Sequence, residues 1–219
     1  RGILAGRAPM SNMYESLVFA VAGMTALAVV LDRLHRNALI GFAGAVLGFV
    51  FMVIAIRMPS EMNPLRPALQ SSWLTYHVTT IMLSYSAFAL SFFISAVYLL
   101  KYGLGGDEAH LRWVHRLPSL ESLDFYTYRI IAIGFPLLTV GIFTGAVWAA
   151  TAWGRPWAFD PKETWSAITW LIYGIFLHAR LMGGWKGRPS AVLSLVGFAA
   201  VLFTYLGVNY LLPGLHSYV

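Results

Sequence analysis

The chain has 219 residues, of which 11% are charged and 58% hydrophobic, with a mean hydropathy of +0.68 and a net charge of +6. An ordinary soluble domain carries about 25% charged residues, so this composition excludes a water-soluble globule and excludes disorder, which needs low hydrophobicity and much charge. The length accommodates roughly six to eight bilayer-spanning helices of about 20 residues each. Cysteine is absent, which rules out disulfides, thiolate metal sites and a thiol nucleophile in this chain. The eight tryptophans are unevenly placed: Trp148, Trp153, Trp157, Trp165 and Trp170 fall within one stretch.

The first residues, Arg1 to Ser16, show no signal-peptide pattern. Six segments without Asp, Glu, Lys, Arg or His then follow: Leu17–Leu31, Ala38–Ile56, Val78–Leu100, Ile130–Ala150, Thr164–Leu177 and Ala191–Leu212. They are continuous apolar runs without period-2 alternation, so a β-barrel is excluded and helices are expected. The predicted fold class is all-α: a polytopic integral membrane helical bundle of about six transmembrane helices, forming a single membrane domain over 1–219. The bilayer is a partner by composition, and the positive charge points to loop bias, not to nucleic acid.

With six spans the loops alternate between two sides. Arg33, Arg36, Lys101, Arg112, Arg116, Arg129, Arg180, Lys186 and Arg188 fall on one side; Arg1, Arg7, Arg57, Arg66, Arg155 and Lys162 fall on the other. Nine against six assigns the first side to the cytoplasm. Both chain ends and the Trp-rich loop are then expected outside.

The histidines sort by depth. His35, His110 and His115 read as solvated inner-loop residues. His77, at the outer end of the third span, and His216, just past the outer end of the sixth, belong to the surface where the Trp-rich loop emerges. Two imidazoles beside an aromatic platform suit a planar iron macrocycle such as haem; two interfacial amphipathic residues are the plainer alternative. His178 ends the fifth span near the inner face. It is either a functional intramembrane group or a histidine favoured by a helix C-terminus. No other span carries a histidine at its depth, so a second ligand would come from water, another residue type or another chain.

In the loop, Gly154 and Pro156 mark turns. Asp160, Pro161 and Glu163 have the order of an N-cap, an N1 proline and an N3 capping-box partner, so their carboxylates read as structural. Arg155 and Lys162 supply positive charge for carboxylates such as haem propionates.

The run Trp153-Gly-Arg-Pro-Trp157-Ala-Phe-Asp160-Pro-Lys-Glu163-Thr-Trp165, with Trp170 and with Leu177-His178-Ala-Arg180, resembles the WWD domain of haem-handling proteins. Together with Ser11-Asn12-Met-Tyr14-Glu15-Ser16 and Gly214-Leu-His216-Ser217-Tyr218, it resembles the CcsA/ResC family of System II cytochrome c maturation. The WWD segment is assigned to 148–180 and its external loop to 151–163. The resemblance implies haem b as the cofactor handled, with His77 and His216 as external iron ligands and His178 as an intramembrane iron ligand. It implies that Trp153, Trp157, Asp160, Trp165 and Trp170 belong to the haem-holding segment. It also implies a CcsB/ResB-type membrane partner, apocytochrome c with its CxxCH motif as substrate, and a separate thiol-reducing system. The membrane would be the bacterial inner membrane or the thylakoid membrane.

Two departures stand out. Phe159 occupies a position where the family more often has Trp, and the family's leading spans are expected before Ser11. The implied function is a haem-handling subunit of a cytochrome c synthase, with no general acid or base assigned. A haem exporter feeding a separate carrier, a b-type electron-transfer cytochrome and a membrane scaffold are the alternatives.

Overall fold

A computed structural model describes residues 10–61, 69–212 and 214. Its described residues form helices and turns with no strand, and five of the helices are long and apolar enough to cross a membrane. We label the long helices α1 (Met13–His35), α2 (Ala38–Ala55), α3 (Ser72–Gly103), α4 (Leu120–Trp153), α5 (Pro161–Leu181) and α6 (Arg188–Leu202). A π turn over Phe203–Gly207 and a last helical turn, Val208–Leu211, continue α6. The all-α membrane bundle expected from sequence is thus observed. The fifth expected span, α5, has 21 residues but is less apolar than the other five, because Lys162, Glu163, His178 and Arg180 lie near its ends. Helices α3 and α4, at 32 and 34 residues, extend beyond their uncharged segments.

Helix starts follow local chemistry. Asn12 caps α1 by accepting from the Glu15 N–H at 2.8 Å, while Glu15 Oε2 accepts from the Ser11 N–H and hydroxyl. Asn37 accepts from the Leu39 N–H at 3.1 Å and opens α2 straight after Arg36, whose φ of 50° reverses the chain. Side-chain oxygens at these caps satisfy N–H groups that would otherwise be orphaned.

Helix α3 is the centre of the bundle. Ala87, Phe88, Leu90 and Ile94 are fully buried on it. It packs along α4 at closest range where α4 carries glycine. A Cβ at Gly134 would meet the Phe88 ring at 2.8 Å, and one at Gly141 would meet Ile81 at 2.5 Å. Small residues let membrane helices approach closely without a hydrophobic drive between them. Phe88 in turn stacks on Tyr173 of α5 (3.6 Å between centroids, 7° between planes), and Tyr173 lies over Gly197 of α6. One column of rings therefore joins α4, α3, α5 and α6.

Two polar clamps close one end of the bundle. The Lys101 ammonium, at the end of α3, donates to the Pro118 and Leu117 carbonyls and pairs with Asp107 at 2.6 Å. The hydrogen bond from Lys101 holds the Asp107 carboxyl below the usual carboxylate range. Arg180 of α5 pairs with Asp124 of α4 at 2.7 Å, both largely buried, and its guanidinium also lies 5.1 Å from the Tyr128 ring centroid. Asp124 accepts the Gly187 N–H at 2.7 Å as well, so it ties the α5–α6 turn to α4.

Removing one member of a buried pair leaves the other charged and uncompensated. Asp124→Ala is expected to cost about 3 kcal/mol of stability, read as a lowered unfolding midpoint in detergent. A midpoint equal to that of the wild type would show that the pair is not a stabilising clamp.

Candidate functional site

At the opposite end of the bundle the start of α1, the first turns of α3, the α4–α5 loop and the end of α6 converge on an open cleft. It encloses about 1070 Å³ of space, part of it open to solvent. His77, Trp148, Trp157, Lys162, Glu163 and Asn209 are among the side chains that line it.

His77 stands one and a half turns into α3. Its Nδ1 lies 2.7 Å from the Gly141 carbonyl of α4. A carbonyl only accepts, so Nδ1 carries the proton and Nε2 carries the lone pair. That is the arrangement in which an outer hydrogen bond orients a metal-binding imidazole. The ring fits because position 145 is glycine: a Cβ there would sit 2.6 Å from His77 Nδ1. Trp148, buried, lies parallel to the imidazole (6.2 Å, 8°), and Trp153 meets Trp148 edge-on at 5.7 Å. The His77 ring is thus held on two sides by α4.

The α4–α5 loop is built as its residues imply. Gly154 closes α4 with φ of 75°, a left-handed conformation suited to glycine. Asp160 caps α5, accepting from the Lys162 N–H, and Pro161 takes the first helical position. Glu163 completes a capping box and also accepts the Ala158 N–H at 2.7 Å. The expected structural role of both carboxylates is therefore observed. Just before them, Phe159 has φ of 57° and is 81% exposed. A non-glycine residue in that region is uncommon, and here it turns an aromatic ring outward, edge-on to Trp157 at 6.3 Å.

The predicted site residues separate into groups. His77 and Trp157 line the cleft, and Trp153 supports its wall through Trp148. Asp160 is buried beneath the loop, and a Cβ at Gly214 would meet Asp160 Oδ1 at 2.5 Å. His216 lies outside the described residues. Trp165 packs on Phe203 of the π turn at 4.2 Å. Trp170 donates from Nε1 to Thr139 Oγ1 at 2.9 Å and packs beside Phe135, in the contact between α5 and α4. His178 stands exposed on α5, at the other end of the bundle, on a face shared with Leu171, Ile175 and Met182. His35, expected to be solvated, is instead half-buried against Tyr126 at 5.3 Å.

Sequence reasoning passed over Tyr205 and Asn209. The Tyr205 hydroxyl lies 2.8 Å from Ser16 Oγ and donates to the Met13 carbonyl at 3.0 Å. Asn209 Oδ1 accepts from Lys162 Nζ at 3.0 Å. The available signal was two polar side chains four residues apart, on one helical face, in a segment without charged residues. The π turn lies between α6 proper and Asn209; Thr204 within it donates to Ala200 O and lies 3.1 Å from Thr169. Such turns recur at functional sites.

Among the described residues no three His, Asp or Glu side chains gather as a metal-ion cage. The cleft offers an imidazole, indole faces and one ammonium. That donor set fits a flat, partly apolar ligand with an acidic edge and an iron centre better than a bare ion.

Comparison with known proteins gives the family of the chain. A family profile described as "Cytochrome C assembly protein" matches residues 10–216. The cytochrome c biogenesis protein CcsA of Synechococcus elongatus is 38% identical, covering 100% of this chain and 81% of the relative. CcsA of Thermosynechococcus vestitus is 39% identical, with the same coverage of 100% and 81%. CcsA of Porphyra purpurea is 39% identical over 97% of this chain and 79% of the relative. With nearly the whole chain matched and its motif-bearing loop built around an open cleft, this chain belongs to the cytochrome c assembly protein family.

Proposed function

We propose that this chain is the haem-handling subunit of a cytochrome c synthase. It holds haem b at the cleft and presents it to the CxxCH thiols of apocytochrome c. The observation that carries the reading is His77, with its Nδ1 proton committed to Gly141 and its ring braced by Trp148. Nε2 is the nitrogen with which such an imidazole binds iron.

In this reading His216 would be the other histidine that holds the haem iron. Gly214, two residues before it in sequence, stands against Asp160 in the loop that also carries Trp157, which supports bringing His216 to the same cleft. Trp157 and Phe159 give the macrocycle aromatic edges to rest on. Lys162, the ammonium lining the cleft, attracts the propionates, and Asn209 orients it. His77 and His216 would hold the haem, whose iron and vinyl groups would supply the chemistry of thioether attachment. Haem and the substrate thiols carry the bond-forming chemistry, while the chain binds and orients. WWD segment 148–180, with its loop 151–163, is the functional heart of the single domain.

His178 serves a separate inner site. Its exposure on an apolar face of α5, beside Leu171, Ile175 and Met182, supports completion by a CcsB/ResB-type membrane partner that supplies the other ligand. The thiol-reducing system acts on the apocytochrome, since this chain has no cysteine. The cleft end faces the outside of a bacterial inner membrane or the thylakoid lumen. The nine basic residues toward the other end of the helices, against six toward the cleft end, support that orientation.

Three outcomes follow. His77→Ala and His216→Ala should each change the visible spectrum of the haem-loaded protein, with partial rescue by imidazole; unchanged haem content and spectrum in both would reject the cleft as the iron site. Lys162→Met should weaken binding of haem about tenfold, the order expected for one charge-assisted hydrogen bond, and leave binding of the haem dimethyl ester unchanged. Equal loss for both ligands would remove the propionate role. In the complex with its membrane partner, His178→Ala should lower haem loading; normal loading would reject the inner site.

A further inference from the structure

The end of the bundle away from the cleft carries a second depression, and the haem reading makes no use of it. It lies between the α1–α2 turn and the start of α4 and spans about 1010 Å³ of space, much of it open to solvent. Arg36, Arg116, His35, Asn37 and Ser122 supply its polar side chains, with Asn37 Oδ1 already accepting the Leu39 N–H. Arg36 is exposed at the left-handed residue between two antiparallel helices, and Arg116 ends the short turn Val114–Arg116 that precedes α4. Among the described residues no carboxylate lines it. The nearest on the same hairpin, Asp32, is turned instead toward Gly41, one turn into α2. Ala38 and Leu39, the first residues of α2, face the same space, so the positive end of that helix dipole adds to the two guanidiniums.

The remaining lining is apolar: Phe42, Leu117, Pro118 and Tyr126. Phe42 is 59% exposed and begins a lipid-facing stripe on α2 that continues through Phe49 and Val53. A cationic cup at the end of spanning helices, opening directly onto an acyl-chain-facing stripe, has the shape of one ligand class. A free anion would have no use for the apolar wall, and a neutral lipid would have none for the paired arginines.

We propose that this depression binds an anionic phospholipid, with its phosphate between Arg36 and Arg116 and one acyl chain along Phe42 and Phe49 of α2. The site is independent of the haem cleft. It anchors the hairpin of α1 and α2 to the leaflet and fixes its depth beside α4.

The test is native mass spectrometry of the purified chain with phosphatidylglycerol or phosphatidylcholine added to detergent micelles. Wild type should retain phosphatidylglycerol in preference. Each of Arg36→Gln and Arg116→Gln should cut that preference about fivefold, the contribution expected of one basic residue at an anionic surface. Arg112→Gln, on the same loop but outside the depression, should leave the preference unchanged. Equal retention of the two lipids by wild type, undiminished preference in the Arg36→Gln/Arg116→Gln double variant, or a loss in Arg112→Gln as large as in the other two would overturn the proposal. So would displacement of the lipid by inorganic phosphate, which marks a free-anion site, or by haem, which marks a cargo site.

Discussion

The molecule depends on how closely α3 can approach α4. Glycines at 134, 141 and 145 occupy one face of α4, and at each of them a Cβ would meet an α3 side chain at 2.8 Å or less. In lipid, helices gain little from hiding apolar surface, so close packing between small residues has to supply the association. The same closeness has a chemical result. At 134 it admits the Phe88 ring, which continues the stacked column into α5. At 145 it admits an imidazole, brought within reach of the Gly141 carbonyl. One packing rule thus builds the core and sets the tautomer of the histidine at the cleft.

Polar groups are sorted to the two ends with different tasks. At one end Lys101 and Arg180 are consumed by carbonyls and carboxylates of neighbouring segments; they fasten loops. At the cleft end the polar groups reach across elements toward open space. Lys162 meets Asn209, and Tyr205 meets Ser16 and Met13. The start of α1 and the end of α6 are therefore joined at the cleft, though 189 residues separate Ser16 from Tyr205. The π turn at Phe203–Gly207 frees backbone geometry next to this junction, and the Thr169–Thr204 contact fixes it to α5.

Much was legible in the sequence because the bilayer simplifies it. Uncharged runs of membrane length must be helices, and their number, order and alternation of ends follow directly. The cap of α5 was equally legible: Asp160, Pro161 and Glu163 interact within one turn, and local chemistry needs no tertiary information. The tryptophan cluster and the placement of His77 beside it were readable as a group. What each tryptophan does was not. Trp157 lines the cleft, Trp165 packs on the π turn, and Trp170 turns away to Thr139 of α4. Those directions depend on which helix lies alongside.

The sequence alone determined an all-α membrane bundle, its polar ends, its capped loop and its family resemblance, because each rests on composition, spacing or contacts within a single turn. Only the tertiary structure decided that the Nδ1–H of His77 donates a hydrogen bond to the Gly141 carbonyl, that Tyr205 and Asn209 reach the cleft, that His178 faces outward, and that Arg36 and Arg116 share a depression. Each of these is a meeting of segments far apart along the chain, set by how closely helices pack and which side chain a glycine admits.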